Sequence, residues 1–153
     1  MEYKPKYFTM TELTISATAK SYGIHNEPTE EHKKNLVSLC EHVLDPVRIM
    51  WGKPIYVSSG YRSLALNNKL RELGNHTSLK SQHMQGKAAD IQTGTVDGNR
   101  RLFEMIVNSD LPFCQLIDEE GYRWLHISFD PDAAVPKRQI LIGKGGKYTN
   151  YKR

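Results

Sequence analysis

Cysteine is scarce in this sequence. Cys40 and Cys114 are the only two cysteines in 153 residues, and each lies among apolar neighbours. A disulfide-stabilised fold needs several cysteines at regular spacing, so the sequence excludes that class of small protein. We therefore predict two buried free thiols. A chain of this length buries an adequate hydrophobic core without cross-links.

Long apolar runs are also absent. No stretch approaches the roughly 20 apolar residues that span a bilayer. Residues 1–7 carry lysine and tyrosine where a signal peptide has its apolar core. We therefore expect synthesis in the cytoplasm without a signal peptide and without membrane insertion. An enzyme with a substrate outside the cell would then need another route of release.

The chain carries little net charge. Its formal net charge is +4, and the most visible cluster of cations lies in residues 144–153. One interpretation is a solvated basic tail at the end of the domain. The alternative is attraction to a polyanion, either nucleic acid or an anionic cell-wall polymer. No recognisable nucleic-acid-binding motif accompanies the cluster, so a nucleic-acid partner is not expected.

Hydrophobic periodicity predicts helices first and a small sheet later. Thr29 is placed to cap the clearest helix, whose apolar stripe runs to Pro46, where the helix must end or kink. The candidate caps of two further helices are Thr9 or Thr11, and Ser63 or Asn67. Strands are predicted at 54–60, 88–92, 113–118 and 123–129, with a helix over 99–107. The pattern indicates one α+β domain over residues 1–153, with helices packed on a small antiparallel sheet.

Residues 81–91 contain the strongest indication of chemistry. His83 and Asp90 lie seven residues apart and are separated by Gly86, which lets the backbone bend, and by small residues. His126 lies on the last predicted strand, and its flanking apolar residues, Leu125 and Ile127, must face the core, so its imidazole faces the opposite side. Two imidazoles and one carboxylate are ligands that catalytic zinc accepts. From spacing alone, a packed or solvated histidine is an equal alternative.

The other four histidines show no partner pattern. We interpret them as surface residues: His25, His32, His42 and His76. Only His76 is near enough in sequence to line a cleft beside the candidate metal ligands.

The motif Ser81-x-His83-x-x-Gly86-x-Ala88-x-Asp90, followed by Trp124-Leu-His126, resembles the zinc D-alanyl-D-alanine carboxypeptidase family. That family includes cell-wall carboxypeptidases, vancomycin-resistance dipeptidases and phage endolysins. Residues 59–63, 113–119 and 7–13 are also similar to it, so the likeness spans about residues 7–130. It implies an α+β fold of the hedgehog/D-Ala-D-Ala peptidase type, one zinc ion, and hydrolysis of peptide bonds in peptidoglycan stems.

The resemblance implies roles for individual residues. It makes His83, Asp90 and His126 the zinc ligands. Arg62 matches the family arginine that contacts the substrate, and a surface arginine or a structural ion pair is the alternative. Ser81 is similar to a serine that lines the pocket. On sequence alone, a hydroxyl that stabilises the loop is equally plausible.

The general base is the point where this sequence departs from the family pattern. Many relatives carry an acidic residue three positions before the last histidine ligand, where this chain has Arg123. Glu119 is the substitute, because it matches an acidic position in one branch of the family. If residues 120–123 form a four-residue hairpin loop, Glu119 lies on the face of His126 within reach of a catalytic water. Otherwise Glu120 or Asp118 is the candidate, or all three are turn charges.

The sequence thus favours a zinc metallopeptidase that hydrolyses peptidoglycan stem or cross-link peptides. It would be a carboxypeptidase or an endopeptidase, of an endolysin or prophage type that acts on the cell wall after release. The alternative is a catalytically inactive, zinc-containing module that binds the cell wall or a phage structure. The departure at Arg123 gives that alternative its weight.

Overall fold

A computed structural model of the chain describes residues 2–152, leaving Met1 and Arg153 outside the described part. Six α-helices occur in it: α1 (Met10–Thr14), α2 (Ala17–Tyr22), α3 (Glu30–Leu39), α4 (Asp45–Trp51), α5 (Leu64–Glu72) and α6 (Val96–Val107). The strands are β1 (Tyr56–Ser59), β2 (Ala88–Gln92), β3 (Gln115–Glu119), β4 (Trp124–Ser128), β5 (Gln139–Lys144) and β6 (Lys147–Asn150). A π-helical turn spans Cys40–Leu44 and a 3₁₀ turn spans Gln82–Gln85.

Hydroxyl side chains begin the helices where the sequence predicted them. The hydroxyls of Thr29 and Ser63 accept backbone N–H groups in the first turns of α3 and α5. Thr9 caps α1 and forms a reciprocal pair of hydrogen bonds with Glu12. Each cap satisfies a backbone donor that the helix itself cannot. These predictions are confirmed.

Pro46 does not end the long helical segment. The chain continues from α3 through the π-helical turn into α4, with Pro46 in the first turn of α4. Proline has no N–H to bond to the preceding turn, and the wider π-helical turn before it accommodates that loss. Asp45 is buried next to it, and its carboxylate accepts hydrogen bonds from the Tyr3 hydroxyl and the Lys6 backbone. Tyr3 and Lys6 are thereby attached to this helix.

The six strands form one mixed sheet in the order β1-β2-β4-β3-β5-β6. All neighbouring pairs are antiparallel except β3 and β5, which are parallel. The α+β class is confirmed, and this one pair departs from the expected antiparallel sheet. Strand β4 runs back beside β3 and ends next to its start. The loop over residues 129–138 therefore begins β5 beside β3 in the same direction.

The C-terminal segment is exposed to solvent, but it forms strands of the sheet and not a separate tail. Lys144 ends β5, and Lys147 begins β6, so most of residues 144–152 belong to the sheet. Gly145 and Gly146 join the two strands with φ of 59° and 79°, a conformation that glycine adopts without strain. After β6, Tyr151 stacks edge-on against the buried ring of Phe103.

One face of the sheet packs on the helices and the opposite face carries the candidate site. Leu125, Ile127 and Leu116 are fully buried in the core with side chains of α3 and α6. Both cysteines are buried and unpaired, as predicted. None of the helices between residues 2 and 152 combines the length and the hydropathy that a bilayer crossing requires.

Candidate metal centre

Three separate elements bring His83, Asp90 and His126 together. His83 comes from the 3₁₀ turn, while Asp90 and His126 are direct neighbours across the β2–β4 pair. His83 Nε2 lies 3.3 Å from Asp90 Oδ1, and His126 Nδ1 lies 3.2 Å from the same oxygen. One candidate ligand atom from each residue lies within 4.8 Å of the others. This group could hold a metal ion, and no second such group occurs in residues 2–152.

The surroundings of His83 fix which of its nitrogens is available. Its Nδ1 lies 2.7 Å from the Gly60 carbonyl oxygen, which can only accept, so Nδ1 carries the hydrogen. Burial lowers the pKa of His83 and favours the neutral ring. In this form Nε2 offers its lone pair, and this atom lies 3.3 Å from Asp90 Oδ1. A cation bound between these two electron-rich atoms would be attracted to both. A backbone carbonyl that accepts the other ring N–H is a common partner of a histidine metal ligand.

The carboxylate of Asp90 is held in its charged form. Burial alone would raise its pKa, but the neighbouring rings of His83 and His126 outweigh that effect and lower it. An ionised, buried carboxylate between two imidazoles is a suitable donor set for a divalent cation such as zinc. The residues therefore fit the metal that the sequence predicted.

The turn that carries His83 is fixed from both ends. Ser81 Oγ accepts the His83 backbone N–H at 3.2 Å, so its hydroxyl stabilises the start of the turn. Gly86 ends the turn with φ of 71°, and a side chain there would collide with the His32 carbonyl oxygen on α3. Of the two interpretations of Ser81, the loop-stabilising one matches this hydrogen bond.

Arg62 is anchored beside His83, Asp90 and His126, the three candidate ligands that we call the metal-binding group. Its Nη2 lies 3.4 Å from Asp90 Oδ2, and its side chain is 13% exposed. Its Nε donates to Ser59 Oγ at 3.1 Å and its Nη1 donates to Thr77 Oγ1 at 2.9 Å. Its backbone N–H also donates to the His83 carbonyl oxygen. Arg62 is therefore no ordinary surface arginine, and the ion pair with Asp90 exists alongside any contact with a substrate.

The β3–β4 hairpin places the three candidate acids differently. Glu119 pairs with Trp124 across a four-residue loop, the arrangement that puts it on the face of His126. Asp118 points to the other face, where its carboxylate accepts the Tyr122 backbone N–H at 2.6 Å. Glu120 lies in the loop and accepts the Gly145 backbone N–H at 2.7 Å. Only Glu119 of the three therefore shares the sheet face of the metal-binding group.

The pKa of Glu119 is raised to about 7. Burial is the largest cause, and the negative charges of Asp90 and Glu120 add to it, while His126 and a hydrogen bond from Tyr148 act in the opposite direction. A carboxyl group with a pKa near neutrality can both accept and release a proton under physiological conditions.

Sequence reasoning overlooked Tyr148. This tyrosine lies on β6, and its ring lies beside the Glu119 carboxylate over Gly143. A signal was present, because the apolar run 140–142 and the Gly145-Gly146 pair are typical of a hairpin. The cluster of lysines around them was given more weight.

The remaining histidines do not join the metal-binding group. His32 is half-buried rather than on the surface, and its Nδ1 lies 3.1 Å from the Tyr61 hydroxyl. His42 is exposed, as expected, and stacks on Phe129. His76 is exposed and lies beside Gly146 in the β5–β6 turn. This turn belongs to the segment that the sequence analysis interpreted as a tail.

The sequence was compared with known proteins. A family model described as Peptidase M15 matches residues 6–128, which is most of the chain and includes all three candidate metal ligands. Among curated proteins, none matches this sequence.

Proposed function

This chain belongs to the peptidase M15 family of zinc D-Ala-D-Ala carboxypeptidase-like enzymes, and we propose that it is a zinc metallopeptidase of peptidoglycan. Its substrates would be the stem or cross-link peptides of the cell wall. The observation that carries the proposal is the buried group of His83, Asp90 and His126 with Glu119 on the same face of the sheet.

Zinc is the metal we propose for this group, because peptidases of this family depend on zinc and the donor set is two imidazoles and one carboxylate. His83 would bind through Nε2, Asp90 through its carboxylate and His126 through Nδ1. A zinc ion with three protein ligands acidifies water and polarises a carbonyl group as a Lewis acid.

We assign Glu119 the role of general base. Its carboxylate would accept a proton from the attacking water and pass it to the departing amine, which suits a group whose pKa is about 7. Glu119 would take the role of the acidic residue that many relatives have three positions before His126, where this chain has the exposed Arg123.

We assign Arg62 the role of substrate anchor. A guanidinium group has five N–H donors, and three of them bond to Ser59, Thr77 and Asp90. Two donors on the Nη atoms then have no acceptor among the described residues. They can hold a substrate carboxylate or a developing oxyanion. Ser81 would act indirectly, through the turn that presents His83.

The competing function is a zinc-containing module that binds the wall without cutting it. The departure at Arg123 supports this alternative, because it removes the acidic residue that many relatives use. The location and raised pKa of Glu119 support turnover instead.

The test is mass spectrometry of fragments released from purified peptidoglycan by the zinc-loaded chain, with a chelator-treated sample beside it. We expect release only in the zinc-loaded sample. Loss of a terminal D-alanine would identify a carboxypeptidase, and cleaved cross-links would identify an endopeptidase of the endolysin kind. No release by a folded, zinc-containing chain would favour the binding module.

The same assay separates the candidate bases. Glu119→Gln should keep zinc and lose about 10²- to 10⁴-fold in kcat, the usual contribution of a general base. Glu120→Gln is the matched control, because its amide oxygen can still accept the Gly145 N–H and it should stay active. Full activity in Glu119→Gln would refute the assignment.

A further inference from the structure

We propose that Tyr148 is a positioning residue that holds the Glu119 carboxylate beside the metal-binding group. Tyr148 lies on the C-terminal hairpin formed by β5 and β6, beyond the family match over residues 6–128. The inference rests on the proposed function, since it concerns the proposed general base.

The register of three adjacent strands brings Glu119 and Tyr148 to the same face of the sheet. Gly143 on β5 pairs with Glu119 on β3 on one side and with Tyr148 on β6 on the other. Residues paired in this way project from the same face of a sheet. Glu119 and Tyr148 therefore share a face and are separated only by a residue that has no side chain.

Gly143 provides the space in which the two side chains meet. A Cβ atom at this position would collide with Glu119 Oε1 and would lie 2.6 Å and 3.0 Å from Tyr148 Cε1 and Cδ1. The φ angle of Gly143 is not positive, so its backbone could accommodate any residue. The glycine is thus needed for room, and that room is filled by the tyrosine ring and the carboxylate.

The Tyr148 ring and the Glu119 carboxylate lie side by side over Gly143, and we infer that the Tyr148 hydroxyl donates a hydrogen bond to this carboxylate. Burial and the nearby negative charge of Glu119 raise the pKa of Tyr148 to about 12, so its hydroxyl remains a donor at neutral pH. Arg62 and Asp90 also lie close enough to interact electrostatically with Tyr148. The phenol thus borders the same site as the proposed base and anchor.

The hairpin is itself fixed to the catalytic strands. The Glu120 backbone N–H donates to the Gly143 carbonyl oxygen at 2.9 Å, and Gly145 donates to the Glu120 side chain. Tyr151 packs against Phe103 at the end of the hairpin. A hydroxyl on this support can restrict a carboxylate to one orientation, which is what a general base requires.

The first test is steady-state kinetics of the full-length, zinc-loaded Tyr148→Phe variant on peptidoglycan peptides. We expect kcat to fall about tenfold, as for the loss of one hydrogen bond to a charged group, with KM, zinc content and melting temperature unchanged. Tyr151→Phe is the control, because it removes a hydroxyl from the same segment at a ring packed on the core. An unchanged kcat in Tyr148→Phe, or a loss shared by Tyr151→Phe, would overturn the proposal.

A second variant tests the geometry. Gly143→Ala leaves the backbone unstrained but places a methyl group between the ring and the carboxylate. It should also lower kcat, and adding Tyr148→Phe should cause little further loss because the contact is already broken. Fully multiplicative losses would contradict a shared mechanism.

A readout without turnover separates this inference from the proposed function. The Glu119 carboxyl can be titrated by NMR in the metal-free chain, where His126, Asp90, Glu120, Arg62 and Tyr148 are the charged or titratable groups that act on it. Loss of the Tyr148 hydrogen bond should raise the pKa of Glu119, and no change would overturn the contact. If the wild-type chain cleaves no wall peptide, the proposed function fails while this titration still decides the inference.

Discussion

The metal-binding group and the C-terminal hairpin meet at one site but are built in different ways. His83, Asp90 and His126 are nearly inaccessible to solvent, and they lie on two central strands and a turn fixed by short-range contacts. The hairpin lies at the edge of the sheet, and every residue of β6 is exposed. In our proposal the first region supplies the metal ligands, and the second supplies a hydrogen bond to the general base. Changes in the buried region should therefore affect metal binding, and changes in the hairpin should affect catalysis without loss of the metal.

The largest loss of activity should follow from removing one of the buried metal ligands. His126→Ala removes one of three proposed ligands, so zinc should be lost together with all hydrolysis. Zinc binding stabilises a folded protein by about 2.7 kcal/mol when its free concentration is 100 times Kd. Wild-type chain should therefore melt at a higher temperature with zinc than without it, and the variant should not.

Metal analysis and thermal unfolding with and without zinc check this outcome. His25→Ala is the control, because its side chain is exposed and lies outside the metal-binding group. Unchanged zinc content in His126→Ala would contradict the three-ligand site.

A smaller effect is expected at Arg62, which lies between the two regions. Arg62→Lys keeps the positive charge but cannot reproduce three hydrogen bonds with a planar group. We expect kcat/KM to fall about tenfold or more, mostly through KM, with zinc retained. Arg71→Lys on the exposed surface of α5 serves as the control. Loss of zinc rather than of substrate affinity would make Arg62 a structural partner of Asp90 alone.

The smallest effect concerns the stability of the metal-free chain. The folded chain raises the pKa of Glu119 from an ordinary 4.5 to about 7, so folding favours its protonated form. This group therefore lowers stability as pH rises from about 4.5 to 7, and its effect is constant above that range. Glu119→Gln removes the titration and should stabilise the metal-free chain above pH 7, on the order of 1 kcal/mol after solvent screening.

Thermal unfolding at pH 4.5 and pH 8 measures this difference. The advantage of Glu119→Gln should be present at pH 8 and vanish at pH 4.5. An advantage that is equal at both values would show that the carboxyl is not perturbed by the fold.

Local signals account for what the sequence predicted well. Thr9, Thr29 and Ser63 cap helices through bonds that span three residues, so a short window of sequence contains the whole interaction. A four-residue hairpin loop at 120–123 was one of the predicted alternatives, and the structure contains it. The three metal candidates converge because alternation on β2 and β4 turns Asp90 and His126 to one face.

Interactions across several strands account for what the sequence did not predict. The parallel pairing of β3 with β5 joins residues 24 apart, as in Glu119 with Gly143, and no local pattern specifies it. The contact between Glu119 and Tyr148 depends on that pairing, on the next one, and on a glycine between them. Register over three strands is a tertiary property, so the local signal for the hairpin could not reveal that Tyr148 lies beside Glu119.

The most direct test of the account is anomalous X-ray scattering at the zinc edge from crystals of the zinc-loaded chain. The account predicts one strong peak bound by His83 Nε2, the Asp90 carboxylate and His126 Nδ1, at the roughly 2.0–2.2 Å typical of zinc with nitrogen and oxygen ligands. A zinc peak at other histidines such as His42 or His76, with none between these three residues, would contradict it.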